Sequence, residues 1–343
     1  MTSPDSQTEE LPGELFVTIT VQGREYQKYS IDNRIYFGPV DDEEAQRLDQ
    51  QQLVFHRIFD HRLIFPPIRH LRRVLDCGHG SARWAVEVAE QHPDCQVIGV
   101  DIAPHMNPDD VPENLWLQVR NVLILVLSIF SSKKTRVEGG HVHHGATRLL
   151  RVTHPSPLIN MVDDLNRPFT FLRTTSTLST LDSLRPALIV ADGQPTLTTL
   201  VLKPGGWVQM IEIYFNAQSD NGSLTDDHAL RRWSTQYMRA LEDRKDLRVA
   251  SKLRNHFLNS GLVEVDSKMI QLPLSAWSNA IGRSNSDNIE ELLQSLALYP
   301  LTQRLHMSAQ SFDLLVEQAQ SEARDLTLKA YFPLYVCIGR KRA

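Results

Sequence analysis

Asp76, Gly78 and Gly80, in the run Leu-Asp-Cys-Gly-His-Gly, and Asp101, at the end of the next apolar run, have the types and spacing to hold a ligand. Glycines at 78 and 80 let a ligand approach the backbone because no Cβ stands in the way. A dinucleotide fingerprint starting at Gly78 needs Gly or Ala at position 83, and this chain has Arg83 there. Asp76 would also repel a pyrophosphate. Both features suit a ligand carrying positive charge near the turn, which a carboxylate attracts. Asp101 lies 25 residues after Asp76 and is placed to accept hydrogen bonds from a ribose diol. That role is common to several nucleoside cofactors, so Asp101 alone does not choose among them.

The elements that must position these residues form a βαβ unit. Arg73 to Asp76 reads as a short strand, Ser81 to His92 as an amphipathic helix, and Gln96 to Asp101 as a second strand parallel to the first. Upstream, Asp41 to Phe59 reads as a helix with an Asp cap and acids in its first turn, although Gln51 and Gln52 interrupt its apolar stripe. Downstream, the sequence predicts a strand over Trp207 to Phe215, a helical stretch from 225 to 259, a Val-rich strand from Leu262, a helix over 308–324 and a last strand over 330–339. The ammonium and sulfonium of S-adenosylmethionine are the positive charges that fit a carboxylate beside such a turn.

The runs VLDCGHGSARWAVEVAEQHPDCQVIGVDIAPHMNP (Val74 to Pro108), VDDLNRPFTF (Val162 to Phe171) and LKPGGWVQMIEIYF (Leu202 to Phe215) resemble the class I S-adenosylmethionine-dependent methyltransferases. Within that family the chain looks most like the fungal secondary-metabolism branch that includes the regulator of the velvet complex. The resemblance implies an α/β fold, a doubly wound Rossmann-like methyltransferase sheet with mostly helical N-terminal and C-terminal cap elements. It places Asp76, Gly78 and Gly80 at the methionine end of the cofactor, Asp101 and Ile102 at the ribose, and Asp163 with Asp164 at the adenine edge. The family writes the turn Gly-Thr-Gly-Thr-Gly; here it is Gly-His-Gly-Ser-Ala, with His79 added and the third glycine replaced by Ala82.

The expected organisation is a loosely held arm over 1–30, a helical cap over 31–70 and a methyltransferase domain over 71–343. Two segments depart from the family pattern. Residues 120–161 are an insert that splits the third strand from its acids, which points to an unexcised intron or, alternatively, to a surface loop. Its histidines, His141, His143, His144 and His154, read as solvated loop residues, and no metal site is expected. Residues 172–200 are rich in threonine and serine where the family has a strand and a charged helix, as a frame change restored downstream would produce. Ala187 to Asp192 is a candidate substitute strand.

Methyl transfer from a sulfonium needs alignment above all, with a base where the acceptor is a hydroxyl. Glu212, Tyr214 and His228 are the candidates for that role. Glu212 is equally readable as a structural carboxylate and Tyr214 as a core aromatic. Trp233, Tyr237 and Trp277 together would give a helical lid an aromatic wall for a flat small-molecule acceptor, while for any one of them plain core packing is the favoured reading. A second class of function, a regulator or scaffold that keeps the methyltransferase fold and works through protein partners, also fits. With 41 acidic against 36 basic side chains and no basic patch interleaved with aromatics, nucleic acid is not an expected partner. Three scattered cysteines form no disulfide or zinc pattern, and the longest apolar run is far short of the ~20 residues a spanning helix needs. A cytoplasmic or nuclear location is expected.

Overall fold

The computed structural model describes residues 12–119, 169–176, 202–244 and 246–343. After a 3-10 turn at Gly13–Phe16, the chain forms the hairpin β1 (Thr18–Val21) and β2 (Arg24–Gln27), then α1 (Lys28–Asp32) and α2 (Asp42–Ile58). The βαβ unit follows as β3 (Arg73–Cys77), α3 (Arg83–Gln91) and β4 (Gln96–Asp101), with β5 (Leu115–Val119) behind it. Next come β6 (Phe169–Ser176), β7 (Leu202–Ile213), α4 (Ala229–Leu241), α5 (Leu253–Asn259), β8 (Val263–Pro273), α6 (Asn279–Tyr299), α7 (Ala309–Arg324) and β9 (Tyr331–Arg340).

Seven of these strands make one sheet in the order β5-β4-β3-β6-β7-β9-β8. The first five run parallel, while β9 lies antiparallel between β7 and β8. In sheet numbering this is 3-2-1-4-5-7-6, a doubly wound sheet whose winding reverses at β3. Ligands of such sheets sit beyond the carboxyl ends of the strands at that switch point, where Cys77 leads into the glycine turn. One core packs Trp84, Ala85 and Val88 of α3 on Val74 and Val97 of the sheet. The other packs Trp233, Tyr237, Leu292, Leu296 and Phe312 of the helices against Ile211, Ile213 and Phe332.

Three expectations are revised. Residues 12–30 are not a loose arm. Gln22 and Gly23 both take left-handed backbone (φ +48° and +83°), making the two-residue turn that suits a hairpin. Gln27 then ties that hairpin to the body, donating to the Leu15 carbonyl at 2.9 Å and the Ile102 carbonyl at 3.0 Å. The strand beside β3 is Phe169–Ser176, whose aromatic and β-branched residues favour extended backbone; Ala187 to Asp192 lies outside the described residues. The helical stretch over 225–259 is broken after Leu241, and the Asp246 carboxylate accepts from the Arg248 amide, a local turn that competes with helix. The favoured core-packing reading holds for Trp233 and Tyr237, which are stacked and buried, and the Trp233 indole donates to the Leu293 carbonyl at 2.8 Å.

α2 begins where the sequence placed it. The Asp41 side chain caps it by accepting from the Glu44 amide at 3.0 Å, and it also accepts from the Glu25 amide and the Arg24 guanidinium. Burial pushes the Asp41 carboxyl up, but the Arg24 guanidinium and the two backbone amides outweigh it and hold its pKa below the ordinary value. This joint fastens the hairpin to α2. Asp41→Asn keeps an amide-accepting oxygen and loses the ion pair, so a loss of about 1 kcal/mol is expected at neutral pH in urea denaturation. Because the folded pKa is depressed, that contribution is present above the ordinary carboxylate pKa. The gap between native protein and variant closes as pH falls through the folded value.

Candidate functional site

The turn after β3 is shaped by three left-handed residues in alternation: Gly78 at φ +74°, Gly80 at +57° and Ala82 at +60°. The loop therefore keeps its course without the third glycine, with Ala82 accepting a conformation that disfavours a side chain. The Gly78 amide donates to the Val100 carbonyl at 2.7 Å and the Ala82 amide to the His79 carbonyl at 2.9 Å. Asp101 braces the turn from β4. Its Oδ2 accepts from the Gly80 amide and its Oδ1 from the Ala103 amide, both at 3.0 Å. Each carboxylate oxygen keeps a second lone pair for a ligand hydroxyl.

Asp76 is fully buried on β3, in register with Gly99 of β4, and the next residue, Cys77, pairs with Val100. Burial pushes the Cys77 thiol up, and the carboxylates of Asp76 and Asp101 push it the same way. Ile102 offers its carbonyl to Gln27 and packs against Tyr36, Val40 and Ala103. Asp163 and Asp164 lie outside the described residues, as do the insert and its histidines.

Above the turn sits α2, and a cleft opens between them, lined by Leu48, Gln51, Gln52 and Phe55 on one side and Gly78 to Ser81 on the other. The two glutamines that break the apolar stripe of α2 therefore face the cleft. Leu48 stands 3.1 Å from where a Cβ on Gly80 would be. Gly80→Ala would add left-handed strain to that contact, with an expected cost of about 1–2 kcal/mol in urea denaturation.

Beyond the cleft lies a buried polar centre that the sequence reading did not identify. Arg47 and Glu44 of α2, 1% and 0% exposed in their side chains, form a two-pronged ion pair, with Arg47 Nη2 2.6 Å from Glu44 Oε1 and Nε 3.0 Å from Oε2. Arg47 also donates to Gln51 and Asn288, and the Ser295 hydroxyl donates to Glu44. Burial works against the Arg47 charge, and Glu44 more than restores it. Burial raises the Tyr36 hydroxyl pKa well above the ordinary value, with Glu44 and Asp101 adding to the effect and Arg47 opposing it. Tyr237 is raised the same way by burial, then by Tyr36, Glu44 and Glu212. Tyr36 thus stands within electrostatic reach of both the turn and the Glu44–Arg47 pair. The available signal was the polar half of the inward face of α2, Glu44, Arg47, Gln51 and Gln52.

The three candidates for catalysis separate. Glu212 is 5% exposed on β7, in register with Ser176 and Tyr335, and its charge is felt by Tyr237. Tyr214 lies just past β7 with its amide donating to the Pro333 carbonyl. His228 caps the other end of the helical layer. Its Nδ1 accepts from the Thr225 amide at 3.0 Å, and Glu322 of α7 takes the next two amides of α4. Its place is in the α4–α7 joint, and it does not line the cleft.

No family model matches the chain. Among known proteins it is similar to the secondary metabolism regulator laeA of Aspergillus niger, 24% identical over 93% of this chain and 75% of that one. It is also similar to the protein-methionine methyltransferase laeA of Emericella nidulans, 26% identical over 90% of this chain and 72% of that one. The secondary metabolism regulator LAE1 of Cochliobolus heterostrophus is 23% identical over 90% of each chain. Solved structures with partial likeness include a phosphoethanolamine N-methyltransferase of Haemonchus contortus with S-adenosyl-L-methionine, at 14% identity, 86% and 53% coverage and a TM-score of 0.41. A methyltransferase of Geobacter sulfurreducens with S-adenosyl-L-homocysteine shows 12% identity, 92% and 97% coverage and a TM-score of 0.39. Likenesses that slight carry no argument. The strand order is that of the class I S-adenosylmethionine-dependent methyltransferase fold, and in sequence the chain is similar to fungal secondary-metabolism regulators.

Proposed function

We propose that the chain binds S-adenosylmethionine over the β3–α3 turn and works as a methyltransferase-type regulator of secondary metabolism. The observation that carries this reading is the Asp101 brace: the acid at the end of β4 holds the Gly80 amide and so sets the turn beneath the cleft. The residues suit the cofactor. Left-handed glycines allow close approach, Asp76 supplies a buried carboxylate near the turn, and Asp101 has lone pairs for a diol. When bound, the cofactor supplies a methyl group on a positively charged sulfur, already activated for transfer. This chain's residues then hold the ligand and exclude water. α2 closes over the turn, and Gln51 and Gln52 give the cleft a polar side that the buried Glu44–Arg47 pair backs through Gln51.

A regulatory role with a protein acceptor is favoured over a small-molecule acceptor. The relatives carry regulator names, one of them naming protein methionine as acceptor. The aromatics that suggested a flat organic acceptor are mostly in the core. The test is incubation with S-adenosylmethionine bearing an isotopically labelled methyl group in a fungal extract, with Asp101→Ala as control. Label in protein above that control supports the reading. Label only in the organic fraction favours the small-molecule acceptor, and no difference from the control overturns transfer by this chain.

A further inference from the structure

His79 replaces the small residue that the resembling family carries between the first two glycines, and its imidazole has an unusual setting. The residue is 8% exposed and lines the cleft with Gly78, Gly80 and Ser81. Its ring packs against Gly99 of β4: a Cβ there would be 2.9 Å from Cδ2 and 3.3 Å from Cγ, so a side chain at 99 would displace it. Nδ1 stands 3.1 Å from the Gly80 carbonyl oxygen, an acceptor only, so Nδ1 carries the proton and donates. In the neutral ring that leaves Nε2 as the acceptor nitrogen, and among the described residues it has no hydrogen-bond partner although it is buried. A buried acceptor left unmade is costly, and such a group beside a binding cleft points to a donor supplied by the ligand.

The same cleft offers the complementary charge. α3 starts at Arg83 with no side chain capping its amino end, and Ser81, Arg83 and Trp84 line the cleft there. An uncapped helix amino end favours a carboxylate. An acceptor nitrogen next to an anion-favouring helix end fits the zwitterionic amino-acid end of a ligand.

We propose that His79 Nε2 accepts a hydrogen bond from the α-ammonium of the cofactor's amino-acid end, making His79 a specificity-determining residue for ligands that carry that end. The proposal rests on the reading that this chain binds S-adenosylmethionine. Two probes separate the ideas in calorimetric titration: S-adenosylhomocysteine, which has the amino-acid end, and methylthioadenosine, which lacks it. His79→Leu is expected to weaken S-adenosylhomocysteine about tenfold or more while leaving methylthioadenosine within about twofold. His79→Gln, which retains an acceptor oxygen, is expected to recover part of the loss. Circular dichroism and urea midpoints confirm that both variants fold; should His79→Leu not fold, the comparison of His79→Gln with the native chain on the two probes decides. Equal weakening of both probes, or no weakening of S-adenosylhomocysteine, overturns the proposal and leaves the cofactor reading standing. Failure of the native chain to bind either probe overturns the cofactor reading, and the role of His79 with it.

Discussion

Replacing Arg47 by Met is expected to destabilise the protein by about 3–5 kcal/mol, because it leaves the Glu44 carboxylate buried without its counter-charge. Both side chains are shut away from water, and the guanidinium also holds Gln51 and Asn288, so the loss reaches both the cleft and the joint between α2 and α6. Burial imposes a desolvation cost on each ion that only the partner offsets. The double replacement Glu44→Gln with Arg47→Met removes both charges and is expected to recover most of the single-variant loss. Urea denaturation of the native chain, the single variants Arg47→Met and Glu44→Gln, and the double variant closes the cycle. Additive losses would show that the two charges do not support each other.

Removing the Asp101 carboxylate should produce the largest functional effect. In Asp101→Ala the Gly80 and Ala103 amides lose their acceptor together, and hydrogen bonds to a charged group are worth about 1.5–3 kcal/mol each. The turn would lose its fixed course and the ribose its acid, so S-adenosylhomocysteine affinity is expected to fall on the order of 100-fold or more. Asp101→Asn keeps one accepting oxygen, so one of the two backbone amides stays paired, and it should fall between the native chain and Asp101→Ala. An alanine variant that binds as tightly as the native chain would show that Asp101 is only a local backbone brace.

The parts of the fold legible in the sequence were those whose signals are local. An Asp cap followed by acids marked α2, and an apolar strand, a glycine turn and an amphipathic run marked β3, α3 and β4. The hairpin at the start was legible in principle, since Thr18 to Val21 alternates and Gly23 follows, yet its polar composition reads as an arm until Gln27 and Arg24 are seen to anchor it. The polar centre was not legible. Glu44 and Arg47 three residues apart on a helix read as a surface pair, and only α6, more than 200 residues later in the chain, makes them interior. Trp233 and Tyr237 carry two readings in the sequence, a binding wall and plain core packing, and the helical layer uses them for the second, to fill its own core. His79 was visible as a departure from the family's turn, while the reason it fits, the bare Cα of Gly99 beneath it, depends on the register of two strands.

Titrating the purified native chain with S-adenosylhomocysteine, and in parallel with NAD, most directly tests whether the β3–α3 turn is built for a sulfonium cofactor. Saturable one-to-one heat with S-adenosylhomocysteine and none with NAD is the predicted result. Saturable binding of NAD, or no heat with S-adenosylhomocysteine, would contradict it.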